Sequence, residues 1–215
     1  GIGAARDYIK RQFDTISPTN GNLAVHTQQF PITWGGVSST QTNVYAVIQG
    51  TELGASTVVI GAHYDSIVVP DFTDGESFAP GANDNGTGVA ALIELARIMS
   101  QQQYRSTVLF VAFAAEEVDR QGSRAFVSFL QDRNIDIVGM INIDTIGNTN
   151  GRDGSVNNTQ LRLFSRAPNT STSRKMARNV EFLGFAHNAP LELLMQETED
   201  RDGRYGDHFS FSEAG

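Results

Sequence analysis

Thr107-Val-Leu-Phe-Val-Ala-Phe113-Ala-Ala-Glu116-Glu117 runs seven strand-forming residues almost directly into two carboxylates. A short apolar run without alternation predicts a strand covered on both faces. Two other stretches repeat the design. Thr57-Val-Val-Ile-Gly-Ala62 leads into His63-Tyr-Asp65, and Ile137-Val-Gly-Met-Ile-Asn-Ile143 leads into Asp144. Between them the period changes. Val89, Leu92, Ile93, Ala96 and Met99 share one face of a helix expected over Asp84 to Met99, and a second amphipathic helix is expected over Arg124 to Leu130. Buried strands alternating with helices predict an α/β fold of three layers, helix-sheet-helix, with a parallel centre to the sheet.

The flanks extend this core. Ile2, Ala5, Ile9, Phe13 and Ile16 recur at helical spacing, and Pro18-Thr-Asn-Gly21 is expected to end that helix. Asn22 to Ile32 and Thr42 to Gln49 read as strands that pair as a hairpin through Trp34-Gly-Gly36, which makes the sheet mixed. Downstream, Leu161 to Phe164 reads as a strand and Ser173 to Phe185 as a helix with Met176, Val180 and Leu183 inward.

Composition bounds the rest. The chain has 215 residues, 40% apolar and 19% charged, which predicts one sizeable core and a single domain over 1-215. A formal charge of -8 repels phosphate backbones and anionic lipids, so neither nucleic acid nor membrane is expected as a partner. There is no cysteine, which excludes disulfides, thiolate metal sites and a cysteine nucleophile.

The chemistry gathers where strands end. In open α/β sheets, ligands bind beyond the carboxyl ends of the strands. Here three strands deliver His63, Glu116 and Glu117, and Asp144 to one edge. A glycine-rich turn, Gly81-Ala-Asn-Asp84-Asn-Gly86-Thr-Gly88, adds Asp84, and Asp207-His208 lies near the end of the chain. A phosphate-loop reading of that turn fails. Thr87-Gly88 stands where Lys-Ser/Thr is needed, and Asp84 would repel phosphate. Imidazole and carboxylate donors without thiolate suit catalytic zinc. Two histidines and three carboxylates are too many for one tetrahedral metal with an open position, and fit two if one carboxylate bridges. Glu116 is then left as a base beside Glu117. His26 and His187 stand outside these clusters and read as structural.

The motif set His63-Tyr-Asp-Ser66, Pro80-Gly-Ala-Asn-Asp-Asn-Gly-Thr-Gly88, Ala114-Ala-Glu-Glu117, Asn142-Ile-Asp144 and Asp207-His208-Phe209 resembles that of the dizinc aminopeptidases, a clan that also holds glutamate carboxypeptidases and glutaminyl cyclases. The likeness spans roughly Asn43 to Gly215. It implies peptide substrates and two zinc ions. One would sit on His63 and Asp144, the other on Glu117 and His208, with Asp84 bridging and followed by a strained, possibly cis, peptide to Asn85. It further implies Glu116 as general base, Asp65 orienting His63 through its ring N–H, a monomer, and a secreted, periplasmic or cell-surface location. Relatives continue into another strand and a closing helix, so a C-terminal strand and helix are expected to be missing here. Some relatives carry a tyrosine before the last histidine, where this chain has Asp207.

Three rivals follow from the same resemblance. A glutaminyl cyclase uses one zinc and alters the segment around the bridging aspartate. A carboxypeptidase or dipeptidase of the same fold shares the motifs. A non-catalytic ectodomain typically loses ligands or the base, and this chain keeps them all. The segments expected to line a substrate pocket are 67–78, 147–159 and 191–204.

Overall fold

A computed structural model describes residues 1–68, 74, 77–151 and 153–215, and the backbone alone at 18–20. The chain divides into two compact units, Gly1–Thr145 with Gly206–Gly215, and Ile146–Tyr205.

The first unit opens with α1 (Ile2–Asn20). This helix runs on through Pro18 and ends at Gly21, whose left-handed backbone (φ 68) lets its N–H reach the Ser17 carbonyl. A glycine in that conformation is a common helix stop, and here it acts later than the proline was expected to. β1 (Leu23–Trp34) and β2 (Val37–Ile48) then pair residue for residue from Leu23↔Ile48 to Trp34↔Val37. Their two-residue turn is Gly35-Gly36, both at positive φ (56 and 79), which suits the twist of a hairpin. Both strands reach closer to the turn than the sequence reading placed them. β1 has a neighbour on one side only, so Pro31 is tolerated within it. His26 stacks on Tyr45 across the hairpin.

β3 (Thr57–His63), β4 (Thr107–Phe113) and β5 (Ile137–Asn142) are mutually parallel, and the sheet order is β1-β2-β4-β3-β5. β2 runs antiparallel to β4, so the hairpin extends a parallel centre into a mixed sheet. β4 shows why the fold has three layers. Val108, Phe110 and Ala112 face a core with Ile9 and Phe13 of α1 and Leu92 and Ala96 of α2 (Thr87–Met99). Leu109, Val111 and Phe113 face the opposite core, with Phe126 and Leu130 of α3 (Gln121–Gln131). Successive side chains of a strand point to opposite faces, so an unbroken apolar run serves two cores at once. β5 is less covered than its sequence predicts. It has β3 on one side only and its residues are mostly half-buried. α3 starts three residues before the periodicity of Arg124 to Leu130 suggested.

The second unit contains β6 (Gln160–Leu163), α4 (Thr172–Ala186) and β7 (Glu192–Met195), with β6 and β7 parallel. Ser171 caps α4 by accepting the Arg174 N–H at 3.0 Å. The buried Arg174 guanidinium donates to the carbonyls of Gln196 and Glu197, which ties the helix to the end of β7. β7 escaped the sequence reading. The first unit closes with α5 (His208–Ala214), also missed, which packs beside α3 through Phe211 and a 2.8 Å contact between the Ser123 and Ser210 hydroxyls. No described helix is long and apolar enough to cross a membrane.

Candidate metal centre

The strand order places the first unit's acidic residues. β3 connects through α2 to its neighbour β4, and the chain then crosses by α3 to β5 on the other side of β3. The β3/β5 boundary is therefore where the winding reverses, and ligands bind at the carboxyl edge of such a boundary. His63 ends β3, and Asp144 follows β5.

His63 is 1% exposed. Its Nε2 lies 3.1 Å from Asp84 Oδ1, 3.6 Å from Asp144 Oδ1 and 4.0 Å from Glu116 Oε2. Its Nδ1 sits 3.2 Å from the Asp65 carbonyl and 3.6 Å from the Asp65 carboxylate. That carboxylate has a second task. Its two oxygens accept the backbone N–H groups of Glu116 and Glu117, each at 3.1 Å. Asp65 thus ties the end of β3 to the turn after β4.

Asp84 is presented by a single π turn, Ala82–Gly86, entered through Gly81 at φ 57. The Asp84-Asn85 peptide is cis. Asn85, 1% exposed, donates to the Ile143 carbonyl at 2.8 Å and accepts from the Gly88 and Thr145 N–H groups at 3.0 and 3.2 Å. It clips the Asp84 turn to the start of α2 and to the backbone on either side of Asp144. Sequence reasoning quoted Asn85 without a role. Nothing in its spacing shows that it bonds to residues 58 and 60 positions away.

One donor atom each from His63, Asp84 and Glu117 lies within 4.8 Å of the others. Among the described residues this is the set of three that meets such a limit. Asp144 and Glu116 stand beside it. His208 begins α5 and is outside the set, although a side chain at Gly206 would lie 3.5 Å from both the Asp144 carboxylate and the His208 ring. Asp207, read in sequence beside His208 without a role in metal binding, is fully buried and its charge acts on Glu116.

The electrostatics are those of crowded acid. Burial, then the charge of Asp207, pushes the Glu116 carboxyl up to about 9 against the pull of His63. Burial and Asp84 push Glu117 up to about 7, and burial takes Asp207 to about 7. Burial lowers His63, but Asp144, Asp65 and Asp84 together raise it well above 6.5. A cation among the carboxylates would counter the raised values of Glu116, Glu117 and Asp207. The donor set is imidazole and carboxylate, the chemistry that divalent zinc accepts. The residues present therefore fit such an ion.

The pattern described as "Peptidase family M28" matches residues 43–215. Proteins named "Probable zinc metalloprotease" from Pyrenophora tritici-repentis and Leptosphaeria maculans are each 31% identical over the whole of this chain and over 49% and 55% of their own lengths. The chain thus spans about half the length of the curated relatives it matches. Among solved structures, the LapA aminopeptidase of Legionella pneumophila superposes on 98% of this chain and 51% of its own, with a TM-score of 0.72 at 22% identity. The glutaminyl cyclase of Fimbriiglobus ruber superposes on 100% of this chain and 73% of its own, at 0.71 and 19%. At these identities the structural likeness carries the fold alone.

Proposed function

The chain belongs to peptidase family M28, and from that footing we propose that it is a zinc-dependent aminopeptidase acting on the free N-terminus of peptides. The observation that carries the reading is the convergence of His63, Asp84 and Glu117 donor atoms within 4.8 Å, with Glu116 beside them and outside the set. His63, Asp84, Glu117, Asp144 and His208 would hold two zinc ions, with Asp84 shared. Bound zinc supplies Lewis acidity, which polarises the scissile carbonyl and acidifies a water.

The remaining work falls to this chain's own groups. Glu116 accepts the proton of the attacking water and passes it to the leaving amine. Its carboxyl holds a proton at neutral pH when no cation is near, and positive charge in the site draws it down to where it can act as a base. The Asp65 carboxylate keeps the Glu116 and Glu117 backbone in place through their amides, and the Asp65 backbone carbonyl, 3.2 Å from Nδ1, holds the ring of His63. The surplus of carboxylates favours a substrate that brings its own positive charge, as a free N-terminal amine does. The protein is read as a monomer working outside the cytoplasm, an inference from the family resemblance.

One observation favours a second reading. Three clustered donors are what a single catalytic zinc needs, so a one-metal acyl transfer of the glutaminyl cyclase type is the alternative. The deciding experiment loads the protein with zinc, counts the metal per chain, and offers peptides with free, blocked and N-terminal glutamine ends. Two zinc ions and cleavage of free ends alone support the aminopeptidase. One zinc and ring closure of glutamine without hydrolysis would overturn it, and cleavage of blocked peptides at the C-terminus would make it a carboxypeptidase.

A further inference from the structure

The loop that bears Glu116 and Glu117 leaves β4 at Ala114 and enters α3 at Gln121, with Gly122 in that helix's first turn. Three of its non-glycine residues hold left-handed backbone angles, Ala115 (φ 58), Asp119 (φ 73) and Arg120 (φ 53). Such angles persist only where the surroundings over-determine them. From the β3 side, Asp65 holds the amides in the middle of the loop. The mouth of the loop is held from the other side, by a residue of β2.

Asn43 is fully buried. Its Oδ1 accepts the Ala114 N–H at 2.9 Å, and its Nδ2 donates to the Gly122 carbonyl at 2.9 Å and to Gln28 Oε1 at 2.7 Å. One amide side chain therefore bonds the entry and the exit of the loop at once, from 71 and 79 residues away. Gln28 in turn donates to the Ala125 carbonyl of α3 at 3.3 Å, so the clamp reaches past the loop into the helix. The two ends meet closely: a methyl at Gly122 would overlap the Ala114 carbonyl oxygen. Only a short side chain with both an acceptor and donors can make this set of bonds, which is the inventory of asparagine.

We propose that Asn43, steadied by Gln28, is a positioning residue that sets the width of the 114–122 loop and thereby the placement of Glu116 and Glu117. The functions of the two glutamates rest on the peptidase reading above, whereas the clamp itself does not.

The test compares Asn43→Ala with Ile9→Ala, a change on α1 in a different core cluster from Ala114 and Ala115 that controls for general loss of stability. Residue-resolved amide exchange on the zinc-free protein reads the clamp directly. Asn43→Ala is expected to speed exchange at Ala114 and through 115–122 by roughly 10- to 100-fold, the effect of leaving buried partners unsatisfied. Ile9→Ala is expected to leave that loop's protection in step with the rest of the unit. In the zinc-loaded enzyme, kcat of Asn43→Ala is expected to fall about 100-fold with KM little changed, as for a misplaced catalytic group. Exchange over 114–122 no faster than in Ile9→Ala would overturn the proposal, as would equal kcat in the two variants. If Asn43→Ala does not fold, Gln28→Met removes one partner and leaves the bonds to Ala114 and Gly122. It should raise exchange in the same loop by a smaller factor, and an unchanged loop would overturn the clamp. A wild-type chain that cleaves no peptide with zinc would sink the peptidase reading, and the exchange data would still decide the clamp.

Discussion

Glu116 and Glu117 share one anchor, since the two oxygens of Asp65 take both their amide hydrogens. Their side chains then part. Glu117 joins His63 and Asp84, and Glu116 stands 4.0 Å from His63 without joining that set. Adjacent residues of one type thus meet different surroundings, and burial with Asp207 acts hardest on Glu116. Glu116→Gln keeps the shape and removes the base. It is expected to bind zinc as the parent does and to lose about 100- to 10,000-fold in kcat, the usual weight of a general base. Metal analysis beside single-turnover kinetics checks this, and a folded variant with parental turnover would remove Glu116 from the chemistry.

At the scale of elements, the site depends on how α2 starts. Its first turn lies against the end of β5, with Asn85 between them. A methyl at Gly88 would overlap the Ile143 carbonyl oxygen and the Asn85 side chain. Backbone on one side and a buried amide on the other leave little room to yield. Gly88→Ala is expected to destabilise the fold by about 1–3 kcal/mol, as overpacking does, although alanine is otherwise the better helix former. Urea unfolding measures it. A variant as stable as the parent would show that α2 can shift away from β5. The element scale is also where the sequence reading went furthest astray. The end of α1 is set by the left-handed backbone of Gly21 and the exposure of β5 by its place at the sheet's edge, and periodicity encodes neither.

At the scale of the molecule, the acidic centre links stability to pH. Folded Glu116, Glu117 and Asp207 hold protons to higher pH than their unfolded counterparts, with values moving from 4.5 to about 9, 4.5 to about 7 and 3.8 to about 7. The raised His63 acts in the same direction, because stability it contributes below 6.5 is lost as pH climbs through its folded value. In each case the folded, zinc-free chain binds more protons than the unfolded one, so stability falls as pH rises. The Tm with chelator present is expected to drop from about pH 5 to about pH 9, and zinc is expected to raise Tm most at the alkaline end, where fewer protons must leave. A chelated Tm that climbs across that range would count against the crowded-acid centre. The strands that build this centre were legible in the chain alone. An unbroken apolar run with a charged end reports both its burial and the edge it points to, and that information is local. His63, Glu116, Glu117 and Asp144 were read as strand-end residues in this way, and folding brings them into one neighbourhood. The clips that set their spacing were not, because Asn43 and Asn85 act through bonds to residues dozens of positions away, and an isolated asparagine carries no period. Folding also settled which donors cluster. The donor atoms of His63, Asp84 and Glu117 come within 4.8 Å of one another, and those separations arise only when β3, the turn after β4 and the π turn are packed side by side.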